Sequence, residues 1–326
     1  MVTRSQLRSG LYLTFCLLLS GCGDSSAPRE SPTSSTDTLR YQWQPGQILH
    51  YRFELSQEIE IQSRSQEINN FTRLTQSYRL KPSSTREGLT ITMEFGDILA
   101  SMREGTNQGT YDSSSNAAPS PGMAQLLASS FGRIENQTLL LHLDKYLKIK
   151  SIEGLSALTE RLTQTQDANL RAMVQSIFSE DSIKKLVYLT PLPAGELVEG
   201  YAWPIQETRS FGLLGDTKLD GTARFRKKKN DGDQSLYQIE ITGQAKAVER
   251  TENQPPFELK SGSFEGQAWF NPELGHYNDS ILTYRLDVRP KAQNPAQAGH
   301  LETIHVIQKY AVKLDHIEGG QSIETN

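Results

Sequence analysis

Residues 303–314 read Thr303-Ile304-His305-Val306-Ile307-Gln308-Lys309-Tyr310-Ala311-Val312-Lys313-Leu314. Ile304, Val306, Tyr310, Val312 and Leu314 share one parity, while Thr303, His305, Lys309 and Lys313 share the other. Successive side chains of a strand point to opposite faces, so this segment is a strand with one dry and one wet face. A wet face suits an antiparallel sheet, because parallel strands are covered on both sides and read as near-continuous apolar runs.

The same alternation extends along much of the chain. Leu49, Tyr51, Phe53, Leu55, Ile59 and Ile61 mark one long strand, and Leu74, Tyr78 and Leu80 a second that is expected to follow a turn at Ile68-Asn69-Asn70. In a third, Leu89, Ile91, Met93 and Phe95 are odd, whereas Ile98, Ala100 and Met102 are even. A β-bulge at Gly96-Asp97 would restore the register. After Pro191-Leu192-Pro193 the pattern returns in Leu219, Ala223 and Phe225, then Tyr237, Ile239 and Ile241, then Phe264, Ala268 and Phe270, then Leu282, Tyr284, Leu286 and Val288. Short turns at Asn230-Asp231-Gly232-Asp233 and at Asn271 to Gly275 make consecutive strands antiparallel neighbours.

Between about 121 and 190 the spacing becomes helical, through Leu155, Leu158, Leu162, Leu170, Met173 and Ile177, then Ile183, Leu186 and Val187 behind a cap at Ser179 or Asp181. A strand pair around Thr138 to Ile149 interrupts this region. Glu104 to Pro121, with Ser113-Ser114-Ser115, reads as a loop. The expected class is therefore mainly β with a helical middle (α+β), in which two curved antiparallel meanders, half-barrel-like, flank the helices at about 121–190. Residues 41–150 and 195–318 would be pseudo-repeated halves, opening on Gly46 before Leu49, Tyr51 and Phe53, and on Gly200 before Trp203, Ile205 and Phe211.

The first 21 residues carry Arg4 and Arg8 without an acid, then an apolar run from Leu11 to Leu19, then Ser20 and Gly21. The run is shorter than the roughly 20 residues that span a bilayer, and the layout is that of a secretory signal. A cysteine follows at once, and Leu19-Ser20-Gly21-Cys22 resembles the lipobox of bacterial lipoproteins. That resemblance implies cleavage between Gly21 and Cys22, a diacylglycerol on the Cys22 thiol and an acylated amine, so that the membrane itself is a partner. It also implies sorting by the residue after the cysteine, here Gly23, which favours the outer membrane, with the protein on the periplasmic side of the cell envelope. The only other cysteine, Cys16, leaves with the signal, so no disulfide, thiol nucleophile or cysteine-held metal is expected.

Residues 22–40, rich in Ser, Thr, Pro and charge, are expected to be a tether between the lipidated cysteine and a β-rich domain over 41–326. The chain carries 34 basic and 38 acidic side chains, and loss of Arg4 and Arg8 takes its net charge from −4 to about −6. That balance argues against nucleic acid. The order of lipobox, tether, meander, helices and second meander resembles a group of β-rich bacterial lipoproteins to which no activity is attached. The residues compared are Pro191-Leu192-Pro193 with Gly200-Tyr201-Ala202-Trp203, and Gly266-Gln267-Ala268-Trp269-Phe270-Asn271 with Gly275. At fold level a curved sheet covered by helices looks like the half-barrels of periplasmic lipoprotein carriers, an analogy that does not fix a function.

Chemistry is sparse. His50, His142, His276, His300, His305 and His316 show no metal-ligand spacing, and alternation places His305 and His316 on opposite faces. Glu58 and Glu60 lie on a wet face, and Asn230-Asp231-Gly232-Asp233 lacks the distal glutamate of a calcium loop. Arg224-Phe225-Arg226-Lys227-Lys228-Lys229 is the one dense basic run, read first as a solvated strand end that discourages edge pairing and, as the alternative, as a patch facing anionic lipid. No nucleotide or hydrolase fingerprint is present. These observations point to no catalytic residue, no metal and no cofactor, and to a non-catalytic binding or scaffold module engaging an envelope protein. The alternatives are a carrier or sensor of an apolar ligand, such as a lipid or acyl chain, and a hydrolase. A large apolar cavity favours the carrier, a flat polar face the scaffold, and converging titratable groups the hydrolase.

Overall fold

Every alternating segment named above is a strand in the computed structural model of the chain. The structure describes residues 38–62, 67–86, 88–162, 164, 168–193, 195–211, 216–231, 234–248, 257–290 and 303–319. Gly21, Cys22, the tether up to residue 37, and His300 lie outside them.

The first strands are β1 (Ile48–Gln62), β2 (Glu67–Thr85), β3 (Gly88–Glu104) and β4 (Asn107–Asp112). Helix α1 (Met123–Phe131) precedes the short pair β5 (Thr138–Leu143) and β6 (Ile149–Glu153), and α2 (Leu155–Leu162), α3 (Ala168–Ile177) and α4 (Glu180–Val187) follow. The second meander is β7 (Ala202–Ser210), β8 (Asp216–Asp231), β9 (Gln234–Ala247), β10 (Phe257–Asn271), β11 (His276–Pro290) and β12 (Ile304–Glu318). The two meanders are not separate sheets. β1 pairs with β12, giving one antiparallel sheet in the order β6-β5-β3-β2-β1-β12-β11-β10-β9-β8-β7, with β4 beside β3.

The sheet is open, with β6 and β7 at the ends of this order, yet strongly curled. Five strand spacings separate β7 from β12, about 24 Å on a flat sheet. The Arg209 guanidinium of β7 nevertheless sits 4.0 Å from the ring centre of Tyr310 on β12, so the strands bend round an inner face in the half-barrel manner. That face carries the residues of the apolar parity, and the helices of the 123–187 region pack against part of it.

Local chemistry explains the junctions. Between Tyr78↔Phe95 and Gln76↔Ile98, Ser77 alone opposes Gly96 and Asp97, which is the bulge the parity switch predicts. A Cβ on Gly96 would press on Ser77 Oγ at 2.6 Å. Ser179 caps α4, its side chain accepting from the Ser182 amide. Three expectations need correction. Ile68-Asn69-Asn70 is strand, not turn, because Ile68 continues the ladder opposite Ile61. Asn107–Asp112, expected as loop, folds back on β3 through Gly105, whose φ of 57° is the left-handed conformation that favours glycine. The folded part begins earlier than residue 41, since Thr38 bridges Glu196 and Leu39 is buried beside Leu197 and Trp203.

Candidate functional site

The buried side chains form two clusters. One gathers β1–β3, β5 and the four helices, with Val312 and Leu314 of β12. The other gathers β7 to β11, with Ile304 and Val306 of β12. Among the described residues, the partly buried Leu189 and Tyr310 pack against both. Where β1 ends and β12 begins the clusters separate, leaving a cavity of about 440 Å³.

Both halves of the sheet build its walls. β1 supplies Leu55, Ile59 and Ile61, β3 Met102, β11 Val288, and β12 Ile304 and Val306. Met123 and Leu126 of α1, Leu170 and Met173 of α3, and the aromatic rings of Phe211 and Phe257 complete its apolar lining. The methionines and leucines are flexible fillers that can re-pack around different apolar shapes. Its charged lining residues, Arg103 and Glu104, are exposed at the end of β3.

A row of polar side chains crosses this apolar wall. Strand register places Thr72 opposite Gln57, and Gln57 opposite Gln308, so residues of β2, β1 and β12 stand side by side on the inner face. Directly opposed side chains lie about 5 Å apart at Cβ. All three line the cavity. Gln308 is only 4% exposed, and its Nε2 donates to the Tyr310 hydroxyl at 2.7 Å. Its Oε1 is buried without a hydrogen-bond partner.

Next to the cavity, against α4, lies a small charged centre. Arg209, 8% exposed, donates to the Tyr284 hydroxyl and stacks on the rings of Tyr284 and Tyr310. Lys185 of α4 pairs with Glu207 at 2.9 Å. Burial, with the charge of Arg209 near by, lowers the Lys185 ammonium to about 8. Glu207 and Arg209 occupy the parity of the core residues Trp203 and Ile205, so this centre was visible as charge at apolar positions. Gln57 and Gln308 likewise interrupt apolar parity. The sequence displays each interruption but not that the two are neighbours, which depends on the β1–β12 pairing.

The histidines are dispersed differently from the expectation. A bulge at Asp315, between the pairs His50↔His316 and Tyr51↔Leu314, turns His316 to the outer face, the same side as His305. There the His50 and His316 rings stack at 4.0 Å and both reach Glu318, at 3.1 and 3.4 Å. These three residues could hold a divalent cation, but they lie on the face remote from the cavity and Glu318 is largely exposed. His276 is buried against Trp43, with ring centres 4.4 Å apart. His142 stands 3.6 Å from Glu153 and His305 2.7 Å from Asp287.

Ser113 Oγ accepts from the Ile98 amide, and Ser114 and Ser115 bond within their own turn. Beyond Phe225, β8 has no strand neighbour on the β7 side among the described residues. The basic run lies along this edge segment, where Arg226 bonds Glu240 while Lys228 and Lys229 lie over Tyr237 and Trp269. No described helix is long and apolar enough to cross a membrane.

Among solved structures, lipovitellin, from work on its lipid–protein interactions, is similar over 87% of this chain at 8% identity with a TM-score of 0.47. The chain spans 27% of lipovitellin's length. DynF of Micromonospora chersina matches over 86% of each chain at 4% identity and a TM-score of 0.20. A Vibrio parahaemolyticus domain named for outer membrane lipoprotein sorting matches over 84% of this chain and 88% of its own, at 7% identity and a TM-score of 0.13. No curated protein matches the sequence. A family model covers residues 87–261, from β3 to β10 and so more than half of the chain, and the protein belongs to that family, the family of unknown function DUF6263.

Proposed function

We propose that this protein is a lipid-anchored envelope protein that holds an apolar ligand in the cavity between the two halves of its sheet, as a carrier or sensor and not as a catalyst. The observation that supports this reading is the cavity itself. Its volume of about 440 Å³ lies within the range of small-molecule pockets, and its lining is mainly aliphatic and aromatic with a few polar groups. Among the described residues, two other depressions are larger but more open to solvent. One, polar, lies between β4 and α1, and the other runs along Tyr41, Tyr188 and Pro191.

Anchoring rests on the lipobox. Replacing Cys22 with Ser should abolish labelling by a fatty-acid probe, and a Ser variant labelled like the natural chain would remove the anchor. Binding is tested with Nile red, a neutral dye that brightens in apolar surroundings. The purified protein should give a saturable rise in emission, and Ser176→Trp, which puts an indole at a half-buried α3 residue lining the cavity, should suppress it while the melting temperature stays close to that of the parent. A rise that never saturates, or one unaffected by the tryptophan, would overturn the cavity reading.

A further inference from the structure

The polar row in the cavity narrows the ligand class, an inference that rests on the cavity reading. Gln308 Oε1 is buried, lacks a hydrogen-bond partner and belongs to a residue lining the cavity. An unsatisfied buried acceptor is costly, and native interiors leave few of them. The same carboxamide spends one of its two N–H donors on Tyr310, which leaves Oε1 as its atom without any partner. Gln57, directly opposite across the β1–β12 seam, and Thr72, one strand further, add amide and hydroxyl groups at the same level.

Apolar side chains bound the row along β1 and β12, with Leu55 on one side and Ile59 and Val306 on the other, while on β2 Asn70 adds a further carboxamide to the lining beside Thr72. A carboxylate or ammonium held at the row would be a charge in an apolar wall, since the charged lining residues Arg103 and Glu104 are exposed at the rim. The chemistry asked for is one uncharged donor on a hydrocarbon body.

We infer that the ligand is a neutral long-chain amphiphile whose hydroxyl head is held at the polar row, where the Gln308 carboxamide turns toward the cavity so that the hydroxyl donates to Oε1 and Gln57 and Thr72 complete its hydrogen bonding. Gln308 is then the residue that separates alcohols from hydrocarbons, ethers and esters of the same size.

Calorimetric titration of the purified protein with dodecanol and with its isomer methyl undecyl ether tests this. The two have the same atoms and nearly the same apolar surface, but only the alcohol donates. The alcohol should bind about five- to tenfold more tightly, the net value of one buried hydrogen bond. Gln308→Leu should bring the two affinities within about twofold, mostly by weakening the alcohol, and Gln57→Leu should reduce the ratio less. Equal affinities for the natural protein overturn the hydroxyl inference and leave the apolar cavity standing. Failure of both compounds to bind overturns the cavity and the inference together. An unchanged ratio in Gln308→Leu, with saturable binding retained, removes Gln308 from the recognition.

Discussion

The hydroxyl of Tyr78, on β2, donates to the backbone carbonyl of Leu186 in the last turn of α4, at 2.8 Å and buried from solvent. Carbonyls of a helix's last turn have no amide partner within the helix. A side chain of the sheet thus satisfies the end of α4 and fixes the helix layer over the inner face. The Tyr78 ring also stacks on Tyr51 at 5.4 Å. Tyr78→Phe keeps the ring and removes the donor, so it should cost about 1–3 kcal/mol. Urea melts should show a lower midpoint with an unchanged slope. Tyr146→Phe, at a position 70% exposed, should leave the midpoint where it is.

His276 gives the protein a pH dependence. Burial lowers its imidazole from 6.5 to about 4, partly offset by its hydrogen bond with the Gln42 backbone. The unfolded chain therefore takes up a proton near pH 6.5, whereas the folded chain does so only near pH 4. Between these values the unfolded state binds more protons, so stability is full above pH 6.5 and falls as the pH drops toward 4. The loss from this one group is about 3 kcal/mol at most. Carboxylates contribute to the same acid limb, so the informative quantity is the difference from His276→Phe. That variant should lose less stability between pH 6.5 and 4 than the natural protein. Parallel curves would mean that His276 does not titrate differently in the two states.

Gly221 of β8 and Gly243 of β9 are cross-strand partners, and the Phe264 ring of β10 occupies the space their missing side chains leave. A Cβ on Gly243 would overlap both Phe264 and the Asp220 carbonyl oxygen. Gly243→Ala should therefore destabilise by about 1–3 kcal/mol through overpacking, although alanine is ordinarily the better strand residue of the two. Gly243→Ala with Phe264→Leu, which shortens the intruding ring, should recover part of the loss. If the double variant only adds the two penalties, the glycine pair is not there to seat the ring.

Much of the sheet was legible because each long strand keeps one dry face. The Gly96-Asp97 bulge was visible as well, since long apolar runs on either side display the change of parity. The Asp315 bulge is not legible, because Ile317 is the one apolar residue of β12 beyond it and a single residue does not establish a parity. Asn107–Asp112 has no dry face to advertise, and its pairing rests on the turn at Gly105. The joining of the two meanders was not legible at all. It depends on β1 meeting β12 across nearly the whole chain, and the cavity and the Gln57–Gln308 pair follow from that contact.

The last prediction concerns where folding starts. The Ser- and Pro-rich composition of the tether suggested a boundary at Tyr41, but Leu39 is 3% exposed and packs in the cluster that contains Leu197 and Trp203. Its neighbour Thr38 makes the bridge to Glu196. Burying one leucine side chain contributes about 1.5–3 kcal/mol. A chain beginning at Asp37 should therefore melt with the mature protein, whereas one beginning at Tyr41 should melt several degrees lower. Leu39→Ala in the longer chain should reproduce most of that loss, separating the apolar contact from the bridge at Thr38. If the two truncations melt together, Leu39 contributes nothing to the fold and the boundary belongs at Tyr41 after all.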